Sequence, residues 1–167
     1  MKKSSLFLLL MVLVMLLSAC STSTNQAKTI TLTELKSALG DDLDSDTVEL
    51  NTVDDGKKVT QFTIKVSGVN AGKITNRSYV KDAIVLLMTK PGDMVYGQFK
   101  VTRGFSVVMD VLALLDTTPE GSFDMDTFVD EILDVMCDGK PHSEAGWTIT
   151  TKVDEANDTL TITGTRQ

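Results

Sequence analysis

His142, the only histidine of the 167-residue chain, is followed directly by Ser143 and Glu144, three residue types from which nucleophilic catalysis is built. Neighbours in a loop seldom aim their side chains at one another. A nucleophile also requires an orienting third group and oxyanion donors, so the expectation for His142 is a solvated loop histidine. Gly104-Phe105-Ser106-Val107-Val108 opens like a nucleophile elbow, yet Val108 stands where the motif's second glycine relieves crowding between strand and helix. Ser106 is expected to cap a helix instead. A zinc site takes three or four His, Cys or carboxylate ligands, and one histidine with one core cysteine, Cys137, supplies too few.

Calcium is the better inorganic candidate. Asp41-Asp42-Leu43-Asp44-Ser45-Asp46 places four carboxylates within six residues, and hard cations take oxygen ligands. An EF-hand loop counted from Asp42 requires glycine at its sixth position and glutamate at its twelfth, where this chain has Thr47 and Val53. The expectation is therefore a looser calcium site on Asp42, Asp44 and Asp46, set against a plain acidic loop. Asp124 and Asp126 form a lesser acidic pair of the kind that helix N-termini favour. Thr148, Thr150, Thr159, Thr161, Thr163 and Thr165 alternate along the C-terminal segment, as on a recognition surface or the wet face of an ordinary strand. Were that segment at a sheet edge, it would accept a partner strand.

The elements that must position these residues follow from periodicity. Thr31-Leu32-Thr33-Glu34 has capping-box spacing, Leu35 and Leu39 continue a helical period, and Gly40 supplies the stop. Residues 47–53 and 58–66 flank Asp54-Asp55-Gly56-Lys57, a hairpin signal that sets Val48 and Leu50 against Ile64 and Phe62 on one face. Residues 80–91 echo 108–119 at an offset of 28 residues, sharing Val, Asp, Leu, Leu, Thr and Pro; either a helical unit is duplicated or two leucine-rich core helices happen to look alike. Between them, residues 94–102 alternate with Val95, Phe99 and Val101 on one face, which predicts a strand; residues 105–115 predict a helix. Ser122 or Asp124 caps a helix whose stripe is Met125, Phe128, Val129, Ile132, Leu133 and Met136, with Asp126, Asp130, Glu131 and Asp134 on its wet side. Cys137 follows as a small buried hydrophobe. Residues 147–153 and 159–165 make a second hairpin, with Trp147, Ile149, Val153, Leu160 and Ile162 inward.

This order predicts an α+β domain: one mostly antiparallel sheet of about five strands, two hairpins plus a single strand, with three to four helices on one face. No Gly-rich phosphate loop occurs in the sequence, which removes the usual nucleotide-binding readings.

Ahead of all this, Lys2 and Lys3 precede an uncharged apolar run from Leu6 to Leu17, then Ser18-Ala19-Cys20. The run is short of the roughly 20 apolar residues that span a bilayer. Leu17-Ser18-Ala19-Cys20 resembles the lipobox of bacterial lipoproteins. The resemblance covers residues 1–20 and implies export, a diacylglyceryl group on the Cys20 thiol, cleavage before Cys20 and acylation of the new amino terminus. It implies attachment to the outer face of the cell membrane, or to an outer membrane where one exists. Residues 1–19 are then a signal peptide, residues 20–30 a lipidated cysteine and polar tether, and residues 31–167 one domain.

Loss of Lys2 and Lys3 leaves 14 basic against 23 acidic residues, nine net negative charges. Such a charge repels nucleic acid. Ten tether residues reach at most about 35 Å, which keeps partners close to the membrane. The expected function is a lipid-anchored binding or interaction module for an envelope protein or extracellular ligand. The alternatives are an envelope hydrolase using carboxylates distant in sequence, and an accessory subunit of a membrane complex.

Overall fold

The computed structural model describes residues 27–117 and 124–167. Cys20, the lipobox, Pro119 and Ser122 lie outside them. The fold is α+β, with five strands and five α-helices among the described residues around one hydrophobic core.

Helix α1, Leu32–Leu39, starts as its sequence requires. The Thr31 hydroxyl accepts from the Glu34 N–H at 3.2 Å, and the Glu34 carboxylate accepts from the Thr31 N–H at 2.8 Å. Its apolar side buries Leu35 and Leu39, and Gly40 at φ 46° ends it. A 3-10 turn over Gly40–Asp44 leads into strand β1, Val48–Asp54, which pairs antiparallel with β2, Val59–Ser67. Val48 opposes Val66 and Leu50 opposes Ile64, so the inward face is the expected one. The register is two residues away from Val48 against Ile64, because a bulge at Val53 and Asp54 lengthens the turn.

Three helices follow: α2, Ala71–Ile74; α3, Arg77–Thr89; and α4, Tyr96–Leu115. The strand expected over residues 94–102 is instead the first turns of α4. Val101, Phe105, Val108, Leu112 and Leu115 are all buried, a spacing of four, three, four and three that only a helix can place on one face. Alternation over Val95, Phe99 and Val101 was a short-range coincidence of that same helix. Ser106 therefore sits mid-helix and caps nothing. At the shared offset, buried Val80, Ala83 and Ile84 of α3 coincide with buried Val108, Val111 and Leu112 of α4, so the echo marks two helices that turn corresponding residues to the core.

Helix α5, Met125–Met136, is capped by Asp124, which accepts from the Asp126 N–H at 3.2 Å and the Thr127 hydroxyl at 2.7 Å. Strands β3, His142–Glu144, β4, Trp147–Asp154, and β5, Thr159–Arg166, complete the sheet in the order β1-β2-β5-β4-β3, antiparallel throughout. The fifth strand is thus β3. The C-terminal hairpin lies inside the sheet, and β1 and β3 are its edges.

The inward row Phe62–Gly164–Ile149 shows how tightly the sheet is tuned. A Cβ on Gly164 would collide with the Phe62 ring, so glycine is required by the ring above it. The expected cost of Gly164→Ala is about 1 to 3 kcal/mol of overpacking strain. Ile132→Ala, at 0% exposure, is expected to cost about 2 to 5 kcal/mol, whereas exposed Glu131→Ala stays within about 0.5 kcal/mol; urea unfolding of the three variants checks the order.

Candidate functional site

Helices α3 and α5 lie side by side and leave an open groove of about 390 Å³ between them. Its position follows from the faces each helix buries. In α3, Val80, Ala83 and Ile84 turn to the core, which leaves Lys81, Val85 and Met88 along the groove. In α5, Phe128, Ile132 and Met136 are buried as the sequence predicts, and Met125 and Val129 form the opposite wall. Val85, Met88 and Met125 are 50%, 62% and 48% exposed. Methionine walls adapt readily to a bound apolar surface. A second exposed apolar set, Val95, Tyr96 and Phe99, stands at the start of α4, with the Lys100 ammonium over the Tyr96 ring at 4.8 Å and the Arg103 guanidinium over the Phe99 ring at 5.3 Å.

One arginine clamps the groove's walls. Arg77 bonds Asp134, meets Asp130 and Asp138 at 3.2 Å each, and donates to the Asp130 carbonyl at 3.3 Å. Lys140 reaches Asp134 at 3.2 Å and Asp138 at 3.3 Å, and Lys81 reaches Asp130 at 3.9 Å. The Arg77 hydrogen bond holds the Asp134 carboxyl below its ordinary range, with Lys140 adding to it. Asp130 and Asp134 therefore do more than face water, although bridges this exposed add little to stability. Asp130 and Asp134 were legible as one helix stripe; Asp138, past the end of α5, and the Arg77 cation, more than 50 residues away, were not.

The acidic segment disperses. Asp42 is drawn to α4, where the Ser106 hydroxyl donates to it at 3.1 Å, while Asp44 and Asp46 are exposed. Among the described residues no group of three or more His, Cys, Asp or Glu side chains is placed to hold a metal ion. Arg103, Ser106 and Asp110 share one face of α4, spaced three and four apart, and Arg103 donates to the Thr47 hydroxyl at 2.8 Å. Burial first, then the Asp42 charge, pushes the Asp110 carboxyl up to about 6.

His142 is not a solvated loop residue. It lies on β3, where alternation turns it to the same side as Glu144 and away from Ser143. Its Nε2 is 3.3 Å from Glu144, which also accepts from the N–H and hydroxyl of Thr117 at 2.8 and 2.9 Å. The pair ties the sheet edge to the end of α4. Ser143 instead meets the Thr148 hydroxyl at 3.3 Å, so no histidine-activated serine exists here. Cys137 is buried as expected, and burial pushes its thiol up to about 12, far from reactive thiolate character. Of the threonine ladder, Thr148, Thr150, Thr161, Thr163 and Thr165 lie on the sheet's uncovered side, while Thr159 is buried.

A carboxyl titrating near 6 when folded and near 3.8 when unfolded favours the folded state below pH 3.8, and that contribution is lost as pH rises through 6. Asp110→Asn removes the loss. The variant is expected to melt above the parent at pH 7.5 and to converge with it only below pH 3.8; equal differences at both values would contradict the placement of Asp110.

No helix among the described residues is long and apolar enough to cross a membrane. No family model, curated protein or solved structure matches this chain, and the functional reading rests on its own residues.

Proposed function

We propose that this chain is a lipid-anchored extracytoplasmic binding module, held to the membrane through Cys20, that contacts an envelope protein or an extracellular ligand through the groove between α3 and α5. The observation that carries the reading is that groove, along which Val85, Met88 and Met125 are left about half-exposed. Isolated exposed hydrophobes are ordinary, but three converging on one concave surface mark a contact site. The lipobox-like Leu17-Ser18-Ala19-Cys20 supports the anchor. Since a single acyl chain binds a bilayer only marginally, the diacylglyceryl group supplies the two chains that stable retention takes.

A hydrolase reading has one observation in its favour, the Asp42 and Asp110 carboxyls with one held near 6, as an acid and base pair would require. The bond from the Ser106 hydroxyl to Asp42, and the partial burial of Asp110 on α4, favour a structural tie over an open catalytic cleft.

Two measurements test the proposal. Cys20→Ser is expected to move the protein from the membrane to the soluble fraction and to abolish incorporation of labelled lipid precursor; a variant still lipidated contradicts the anchor. Met88→Asp combined with Val85→Asp is expected to remove crosslinked partners from intact membranes with the melting temperature unchanged, because both side chains are already exposed. Retention of every crosslink would contradict the groove.

A further inference from the structure

Strand β1 is an edge of the sheet, with a patterned row of backbone groups that no other described residue pairs with. The Ser67 N–H donates to the Thr47 carbonyl at 2.7 Å. In an antiparallel ladder such hydrogen-bonded pairs alternate with non-bonded ones, so Thr47, Glu49 and Asn51 aim their backbone groups at β2. Leu50 and Thr52 between them aim N–H and C=O away from the sheet. Val48 fits the same alternation: its N–H already bonds the Ser45 carbonyl at 3.1 Å, outside the ladder. Beyond this row lies an open groove of about 570 Å³ between β1 and α1. Val48, Leu50 and Thr52 form one wall, and Leu32 and Leu43 offer apolar surface opposite. A row of paired donors and acceptors at strand spacing is complementary to another extended backbone and to little else. At the Val48 end stand the exposed carboxylates of Asp41, Asp44 and Asp46, so the charge complement of that end is basic.

We propose that the free edge of β1 is a strand-addition site for an extended partner segment with alternating apolar side chains and lysine or arginine at its C-terminal end. Every pair in the sheet is antiparallel, and continuing that pattern sets the incoming C-terminus beside Val48 and the acidic turn. The incoming apolar side chains enter the groove over Leu32 and Leu43. This contact is separate from the groove between α3 and α5 and stands or falls independently of it.

The test uses the full lipidated chain in detergent micelles and an acetylated, amidated peptide of sequence Val-Thr-Val-Thr-Val-Lys-Lys. Saturating peptide is expected to slow hydrogen exchange of the Leu50 and Thr52 amides at least tenfold, leaving residues of α3 and α5 unchanged. Reversing Asp44 and Asp46 to Lys is expected to weaken binding at least threefold and to flatten its salt dependence. Two N-methylated peptides decide the mode without altering the protein. Methylation of the alternate amides that face β1 abolishes binding, and methylation of the other set preserves it. Equal binding of the two, no binding at millimolar peptide, protection confined to Met88 and Met125, or a β1-to-β1 dimer that closes the edge would each overturn the proposal. Peptide binding retained by the Val85→Asp, Met88→Asp variant separates this result from the fate of the other groove.

Discussion

Phe62 lies over Gly164, and much of the domain's geometry depends on that contact. The ring occupies the space of an absent Cβ on β5 and reaches Trp147, 5.6 Å away between ring centroids at an interplanar angle of 33°. Trp147 in turn donates its indole N–H to the Lys28 carbonyl at 2.7 Å, while the Lys28 N–H bonds the Ala145 carbonyl at 2.7 Å. Two residues on, the Ile30 carbonyl accepts from the Val59 N–H at 2.8 Å. The segment entering the domain is thus laid across the end of the sheet before α1 begins at Leu32. A single small residue sets the depth of the aromatic pair, and the pair's indole N–H pins the chain at Lys28, just ahead of the Thr31 cap that starts the first helix.

Most of the fold was legible because local signals agreed with one another. The capping box at Thr31, the glycine stop at Gly40, the buried Phe128, Ile132, Leu133 and Met136 of α5, with Met125 left exposed, and both hairpins, the first with its register moved by two residues, are short-range statements that the structure repeats. The exception is instructive. Residues 94–102 carry glycine at position 97 and close alternation, and Gly104 two turns later reads as another break; yet Gly104 is helical, and the position is glycine because a side chain there would press on Ile74 and Leu160, at 3.3 and 3.4 Å from its Cβ position. Close helix-to-sheet packing, a tertiary demand, chose the residue that a local reading takes for a boundary.

The candidate site was less legible for a different reason. Each groove wall is visible in its own helix, but the groove is the gap between two helices, and no spacing within either encodes it. The same holds for Arg77 with its three aspartates and for Ser106 with Asp42, partners 64 residues apart. The His142 and Glu144 pair was within reach of sequence reasoning. Once residues 142–144 are extended, positions two apart share a face, and only the assumption of a loop concealed it.

Lys28 also donates its ammonium to the Leu114 carbonyl at 2.6 Å, near the end of α4, while Asn70 meets the Gly97 carbonyl at 3.4 Å, near the start. A helix of 20 residues is about 30 Å long. The chain therefore enters at one pole of the domain, and Val95, Tyr96 and Phe99 crown the other. On the proposed anchor at Cys20, Lys28 would mark the near side of the domain and this aromatic, cation-decorated crown its far side, a full helix length from Lys28, as the tip of a short mast is from its deck.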